Sequence, residues 1–178
     1  MGSENPSGAD NQQETEELPR LDPRWVVGVV DGEGCFSVSV HRNVGAPHGW
    51  QLHPVFQVSQ HQDHRAVLEQ LAAVFGCGSV RSKGPTSMVD VFTVESNLQL
   101  ERHVLPFFER YPLRVKGDDF RRFATIVRSL RRRVHHDQSG FDHLVRVAYA
   151  MNRRGRQRKR GIEEVRQGSS ETIRQAPE

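Results

Sequence analysis

The amino-acid sequence predicts an α+β fold in which helices cover one face of a four-stranded antiparallel sheet. Four segments alternate apolar and polar residues, the pattern of strands with one buried face. Segments with helical spacing of apolar residues precede, separate and follow them, in the order α-β-β-α-β-β-α plus C-terminal helices. The chain has 178 residues, of which 35% are hydrophobic, and this suits one domain with a core and short tails.

The first three elements follow one another closely. Asp22 and Pro23 predict a helix start, as N-cap and first helical residue, and the helix extends to about Val30. Residues 35–42, CFSVSVHR, alternate strictly and form the first strand, and residues 50–60, WQLHPVFQVSQ, form the second. The segment between them, NVGAPHG, is a loop because of its glycine and proline content.

The second half of the sheet is predicted to be a hairpin that follows a helix. Residues 61–76 have the apolar spacing of an amphipathic helix that stops at Gly76. Residues 77–83 and 88–94 form the two hairpin strands around GPTS. Alternation assigns the hairpin side chains to two faces: inward Val80, Val89 and Val91, and outward Arg81, Lys83, Met88 and Asp90.

Helices complete the predicted fold. Ser96 and Gln99 form a capping box that opens a third helix, which extends to about Arg110. Two or three further helices are predicted from Gly117 onward, including residues 118–134 and 141–152.

The domain is predicted to occupy residues 21–160, between a disordered acidic tail at 1–20 and a polar tail at 161–178. No apolar run approaches the roughly 20 residues of a membrane span. The N-terminal residues lack the basic and apolar regions of a signal peptide, and two cysteines give no disulfide framework. We therefore expect an intracellular protein of the cytoplasm, a nucleoid or an organelle.

Positive charge is concentrated in the C-terminal half. The formal net charge is +3, but residues 1–22 carry −5, and residues 114–160 hold fifteen Lys or Arg against four Asp, a net +11. This asymmetry predicts a polyanion partner, most often nucleic acid. The basic run NRRGRQRKR is expected to contact phosphates without reading sequence, through Arg153, Arg154, Arg156, Arg158 and Lys159.

The outward face of the predicted sheet carries side chains that can hydrogen-bond base edges. Gln suits adenine, Arg and Lys suit guanine, and Asp suits cytosine. A solvated sheet face would also be polar, so this interpretation depends on the basic helices as well. The candidate DNA-binding residues are Ser37, Ser39, His41, Gln51, His53, Gln57, Arg81, Lys83, Met88, Asp90 and Arg114.

The histidines give little support to a metal site of their own. His61 and His64 flank a helix start, whereas His135 and His136 are adjacent, so neither pair presents ligands that converge with a cysteine. We interpret them as surface or phosphate-contact residues.

Two glycines and two carboxylates lie where the first helix meets the first strand. Gly28 and Gly32 are one helical turn apart, and small residues at this spacing let two helix backbones approach closely. Asp31 and Glu33 stand at the helix C-terminus, where the macrodipole disfavours negative charge. A bound cation is the simplest partner for these carboxylates.

At this junction the sequence resembles the LAGLIDADG homing endonucleases. VVGVVDGEG, residues 26–34, is similar to the nine-residue signature of that family, with Gly28 at its inner glycine and Asp31 and Glu33 at its two acids. The resemblance covers residues 25–160 and includes FQVSQ, YPLRVKGDDF and AYAMNRRGRQRKR.

The resemblance implies a saddle-shaped sheet in the DNA major groove and site-specific cleavage of both DNA strands by an intron-encoded enzyme. Glu33 and the Gly32 carbonyl are implied to bind a divalent metal, and Mg²⁺ is the expected ion because hard cations prefer oxygen ligands. Gln60 is implied to position the attacking water. Lys116 is implied to balance negative charge near the scissile phosphate, and Arg114 is close enough in sequence to take its place.

A homodimer is implied because the chain contains one copy of the signature, whereas cleavage of two strands needs two acid sites. A two-fold dimer would act on a near-palindromic DNA site. The implied dimer interface consists of residues of the signature helix, namely Val26, Val27, Gly28, Asp31 and Gly32.

Two departures from the family pattern leave alternatives open. Glu33 replaces the more usual second Asp, and Val27 replaces a small Ala where helices should touch. The competing hypothesis is a non-cleaving protein on the same fold, either a maturase that binds intron RNA or a transcription regulator. The retained acid at Glu33 favours the enzyme.

Overall fold

The computed structural model describes residues 21–151 and 161–165, which form a four-stranded antiparallel sheet with helices on one face. This architecture confirms the predicted α+β class and element order. The helices are α1 (Pro23–Glu33), α2 (Arg65–Phe75), α3 (Asn97–Gln99), α4 (Leu105–Arg110), α5 (Gly117–Arg131) and α6 (Gln138–Ala150). The strands are β1 (Gly34–Arg42), β2 (Trp50–His61), β3 (Ser79–Ser82) and β4 (Val89–Val94).

The strand order is β1-β2-β4-β3, and each neighbouring pair is antiparallel. Phe56 of β2 stands opposite Phe36 of β1 and Val94 of β4, and Val80 of β3 stands opposite Phe92. Directly opposed residues share a face of the sheet, so these five residues mark the face that the helices cover.

The faces of β4 differ from the prediction. Asp90 stands opposite Gln60 and therefore shares the helix-covered face with Phe92, whereas Val89 and Val91 point to the open face. Asp90 is 5% exposed, and its Oδ2 lies 3.0 Å from Nη1 of Arg65 on α2. The prediction that Asp90 faces outward to read bases is wrong, because its carboxylate is buried against this arginine.

Helix α1 begins as predicted and ends three residues later than predicted. The Asp22 carboxylate accepts a hydrogen bond of 2.8 Å from the Arg24 N–H, and Pro23 occupies the first helical position. Strand β1 starts directly at Gly34, where a Cβ atom would lie 2.7 Å from both the Cγ1 and the carbonyl oxygen of Val30. Glycine is therefore required for the helix to pass into the strand without a loop.

Phenylalanines from the sheet and the helices fill the core. The Phe36 ring stacks on Phe56 with centroids 5.0 Å apart and meets Phe108 and Phe120 edge to face at 5.6 and 5.4 Å. Phe120 lies in the first turn of α5, so this packing holds the start of α5 and the preceding loop against β1.

The third predicted helix is divided by a widened turn. The Ser96 hydroxyl accepts a hydrogen bond from the Gln99 N–H, as the capping box predicts. Residues Leu100–Val104 form a π-helical turn between α3 and α4, and Pro106 follows it. A proline ring in a regular helix would clash with the carbonyl four residues earlier, which accounts for the widening.

The C-terminal boundary of the domain lies later than predicted. Residues 162–165 are helical, Val165 is fully buried, and Ile162 packs against the core. The predicted boundary between the domain and a polar tail at residue 161 therefore differs from the structure, because these two apolar residues are three positions apart and share a helix face. The predicted tail residues 1–20 and 166–178 lie outside the described residues.

Within the described part of the chain, no helix is both long and apolar enough to cross a membrane.

Candidate functional site

The junction of α1 and β1 presents a carboxylate next to the terminal carbonyls of a helix. Glu33 is the last residue of α1 and has an exposed side chain, and Gly32 beside it is also exposed. The last carbonyls of a helix have no partner within the helix and carry its negative partial charge. Such a cluster of oxygen atoms attracts cationic groups.

Lys116 supplies one such group. Its Nζ donates hydrogen bonds of 2.9 Å to the Val30 carbonyl and 3.0 Å to the Gly32 carbonyl. The ammonium thus caps the C-terminus of α1 and offsets its partial charge. Lys116 and Gly32, which the sequence assigned to catalysis and to metal binding, are therefore in direct contact.

Asp31 has a different role from the one predicted. Its Oδ2 accepts a hydrogen bond of 2.8 Å from the Arg114 N–H, and its Oδ1 accepts bonds of 3.1 and 3.0 Å from the N–H groups of Val115 and Lys116. These three donors compensate for a carboxylate at a helix C-terminus. The prediction that Asp31 forms a dimer interface is wrong for its carboxylate, which binds the loop before α5 of its own chain.

Gln60 lies at the same end of the sheet. The register pairs Gly34 with Val58, so Gln60 lies two residues beyond the start of β1 and shares the helix-covered face with Val58. It is half-buried opposite Asp90. The structure therefore brings Gln60, Glu33 and Lys116 to one end of the molecule.

Two residues near the junction were not identified from the sequence. Burial raises the pKa of the Cys35 thiol; the Lys116 ammonium partly opposes this shift and the Asp119 carboxylate adds to it. The thiol is thus protonated at neutral pH and is a poor nucleophile. Strand alternation after Gly34 could have placed Cys35 on the open face, but only tertiary packing brings Asp119 close to it.

The open face of the sheet carries most of the polar residues predicted for it. Ser39 stands opposite His53, His41 opposite Gln51, and Arg81 opposite Val91. Val91 and Thr93 are almost fully buried at the centre of this face. The predicted residues that lie on this face are Ser37, Ser39, His41, Gln51, His53, Gln57, Arg81 and Lys83.

Several of these side chains already have partners. Arg81 Nη2 lies 3.3 Å from Glu95 Oε1, and Asn43 Nδ2 donates a hydrogen bond of 2.6 Å to Gln51 Oε1. Both contacts are exposed, so they contribute little to stability and can be exchanged for contacts with a ligand. Met88 lies exposed in the turn before β4.

Much of the positive charge on the basic helical surface is paired with carboxylates. Arg121 and Arg122 pair with Asp118 and Asp119 within α5. Arg128 and Arg131 pair across helices with Glu109 and Glu101. Arg114 remains exposed next to the junction, and the predicted phosphate contacts at 153–159 lie outside the described residues.

The described part of the chain leaves one face of α1 open. Gly28 and Gly32 are exposed, and a Cβ atom added to either would lie within 4 Å of no described atom outside its chain neighbours and its own helix backbone. Trp25, which the sequence did not single out, is 42% exposed near them. Val27 packs partly against the core. Val26 is fully buried in the core, so its predicted place in a dimer interface is wrong.

Comparison with known proteins agrees with this geometry. The family model described as "LAGLIDADG endonuclease" matches residues 26–127, which include the junction, the sheet and most of α5.

Individual relatives are named as DNA endonucleases or homing endonucleases. The DNA endonuclease I-CeuI of Chlamydomonas moewusii is 30% identical over 87 residues, which are 49% of this chain and 40% of that protein. The chain thus spans less than half the length of this relative. The solved homing endonuclease I-TnaI is 34% identical with a TM-score of 0.72, covering 85% of this chain and 98% of its own. The archaeal intron-encoded homing endonuclease I-Vdi141I, solved in complex with DNA, is 26% identical with a TM-score of 0.79, over 85% and 96% of the two chains.

Proposed function

Because the chain belongs to the LAGLIDADG endonuclease family, we propose that it is an intron-encoded homing endonuclease that cleaves both strands of a specific DNA site. The observation that carries this proposal is the position of Glu33. Its exposed carboxylate ends α1 beside the Gly32 carbonyl and at the same end of the sheet as Gln60 and Lys116. We also propose that it acts inside the cell, in a nucleoid or an organelle.

The open face of the sheet is the proposed DNA-reading surface. Its hydroxyl, imidazole, amide and cationic side chains match the donors and acceptors of major-groove base edges. Because Arg81 is held by Glu95 across an exposed contact, base binding would exchange one partner for another. Arg114 and the basic run at 153–159 would contact phosphates and increase affinity without selecting sequence.

Glu33 and the Gly32 carbonyl are the proposed ligands of a divalent cation, and Mg²⁺ suits these oxygen ligands. Among the described residues, no group of three or more His, Cys, Asp or Glu side chains could hold a metal ion. The ligand set of one chain fits such an ion only in part, so phosphate, water and a second copy of the chain would complete it. When bound, the cation would activate water and stabilise the leaving oxygen.

The remaining proposed roles belong to side chains at the junction. The Gln60 amide can both donate and accept hydrogen bonds, so it can orient a water molecule for attack on phosphorus. The Lys116 ammonium can stabilise negative charge on the phosphate in the transition state. Its present bonds to two carbonyls keep it at the end of α1 that also carries Glu33.

A two-fold homodimer is the proposed assembly. A glycine inside a helix costs about 1 kcal/mol relative to alanine. Within the described residues nothing requires Gly28 or Gly32, because a Cβ atom at either position would have open space around it. Close packing of α1 against α1 of a second copy would require small residues at these two positions. It would also bring two Glu33 carboxylates to one DNA site.

The proposed function is tested by selection from a randomised double-stranded DNA library. Wild type and Glu33→Gln are first selected for binding in Ca²⁺, then moved to Mg²⁺, and the cut ends are sequenced. We expect wild type to give discrete ends at a near-palindromic consensus that Glu33→Gln binds but leaves intact. If both proteins bind one consensus and neither cuts it, the chain is a DNA reader rather than a nuclease.

A further inference from the structure

We propose that Asp31 is a positioning residue, whose carboxylate holds the loop before α5 so that the Lys116 ammonium lies against the end of α1. This proposal rests on the proposed function, in which Lys116 acts near the scissile phosphate. It deepens that function by assigning a task to the first acid of the signature.

The contacts of Asp31 define a closed cradle. Three successive backbone N–H groups, from Arg114, Val115 and Lys116, donate to its two oxygens at distances of 2.8 to 3.1 Å. Bonds from N–H groups to a carboxylate are charge-assisted and stronger than neutral ones. Three of them in sequence fix the backbone direction of the loop, and with it the point from which the Lys116 side chain starts.

Residues 30–32 hold Lys116 at both ends. Its backbone N–H binds the Asp31 carboxylate, and its Nζ binds the carbonyls of Val30 and Gly32 on either side of Asp31. A lysine side chain has four rotatable bonds and loses much freedom when it is fixed. With the backbone of Lys116 held by Asp31, its ammonium can reach both carbonyls. Loss of the backbone bond to Asp31 should therefore also release the ammonium from the carbonyls.

The side chain required at position 31 is specific. An asparagine has the shape of aspartate, but its NH₂ group would face backbone N–H donors in place of an acceptor oxygen. Asp31→Asn therefore weakens the cradle with little change in volume. Asp22→Asn is the matched control, because Asp22 caps the other end of α1 through the Arg24 N–H and makes no contact with Lys116.

The first test needs no DNA and uses the full chain. The lysines are Lys83, Lys116 and Lys159, and their acylation rates are measured by peptide mass spectrometry at pH 8. We expect Lys116 to react about tenfold faster in Asp31→Asn than in wild type, because its ammonium loses its hydrogen bonds. Exposed Lys83 should react at an unchanged rate, and Asp22→Asn should match wild type at Lys116.

Amide hydrogen exchange at residues 114–116 should accelerate in the same variant. Asp31→Glu keeps a carboxylate on a longer side chain, so its Lys116 rate should fall between those of wild type and Asp31→Asn. Unchanged labelling of Lys116 in both variants would overturn the proposal. Equal acceleration of Lys116 in Asp22→Asn would also overturn it, since general loosening of α1 would then explain the effect.

The second test asks whether Asp31 acts through Lys116. We expect Asp31→Asn to lower kcat about tenfold with little change in DNA affinity, and to lower it no further in a Lys116→Ala background. If the loss of kcat in the double variant equals the product of the losses in the two single variants, the two residues act independently, which contradicts the proposal. If wild type cuts no DNA while Lys116 labelling still responds to Asp31→Asn, the proposed function fails and the positioning contact stands.

Discussion

Asp31 and Glu33 stand two positions apart, and the fold gives them different tasks. Asp31 turns toward its own chain and binds three backbone N–H groups, whereas Glu33 ends the helix with an exposed side chain. Both are acids in the sequence, and their roles differ because the loop before α5 lies against Asp31 only. A polar residue can therefore be expected at a site from its type, but its partner depends on tertiary contacts.

Asp90 and Gln57 provide a test of this distinction. Gln57 lies on the open face, whereas Asp90 is buried against Arg65. We expect Gln57→Ala to relax the selected DNA consensus at one position of each half-site, at about 1 to 3 kcal/mol of lost discrimination. Asp90→Asn should instead lower the melting temperature and leave the consensus unchanged.

The measurements are library selection and thermal unfolding of both variants. His103→Gln, at an exposed position of the π-helical turn, serves as a control with neither effect. A changed consensus for Asp90→Asn, with unchanged stability, would contradict the burial of this carboxylate.

Helix α1 illustrates how one element can serve both the core and a surface. Val26 and Val30 are fully buried on one side, and Gly28 and Gly32 are open on the other. A single sequence pattern, VVGVVDGEG, encodes both sides because a helix returns to the same face every three to four residues. This explains why the glycines indicate a second helix while the valine Val26 does not.

Substitution of Gly28 tests the open side of α1. Gly28→Leu should leave the stability of the monomer unchanged or raise it by up to about 1 kcal/mol, because leucine favours helix and meets open space. It should weaken self-association at least tenfold, since a bulky side chain separates two packed backbones. Sedimentation equilibrium measures the association.

Ala73→Leu is the matched control, placed on the exposed side of α2. It should dimerise as wild type does. If Gly28→Leu associates as tightly as this control, α1 is not the dimer contact.

The helices and strands were largely predictable from the sequence. Which of their faces is buried was not always predictable. The caps at Asp22 and Ser96 and the stop at Gly76 have local causes, and the structure confirms them. The prediction of which β4 side chains face the core was wrong. Its sequence VDVFTV has apolar residues on both faces, so alternation alone does not identify the buried face. The partner that buries Asp90 is Arg65, 25 residues earlier, which local pattern could not reveal.

At the scale of the whole molecule, charge and burial act through long-range contacts. The sequence count of +11 in residues 114–160 neglects partners such as Glu101 and Glu109, which pair with arginines of α5. The core also extends further along the chain than its composition indicates, because Val165 is fully buried. Net charge therefore overstates how many of these basic residues are free to bind a polyanion.

Acid should destabilise the folded chain through His135. Burial lowers the pKa of this imidazole below its ordinary 6.5, and neighbouring His136, His48 and Arg133 lower it further. The unfolded chain therefore binds this proton more readily, so the stability present above about pH 6.5 is lost as pH falls through the folded-state pKa. His135→Gln should reduce this pH dependence.

Urea unfolding between pH 8 and pH 5 measures the effect. His103→Gln, at an exposed position, should follow wild type. An identical pH dependence in wild type and His135→Gln would assign the acid sensitivity to other groups.

The most direct test of two acid sites in one dimer is the number of strands cut by mixed dimers. Wild type and Glu33→Gln are refolded together in equal amounts, the differently tagged mixed dimer is isolated, and supercoiled plasmid carrying the selected site is added with Mg²⁺. We expect wild type to linearise the plasmid, the mixed dimer to nick one strand, and Glu33→Gln to leave it supercoiled. Linear product from the mixed dimer at the wild-type rate would contradict one Glu33 site for each strand.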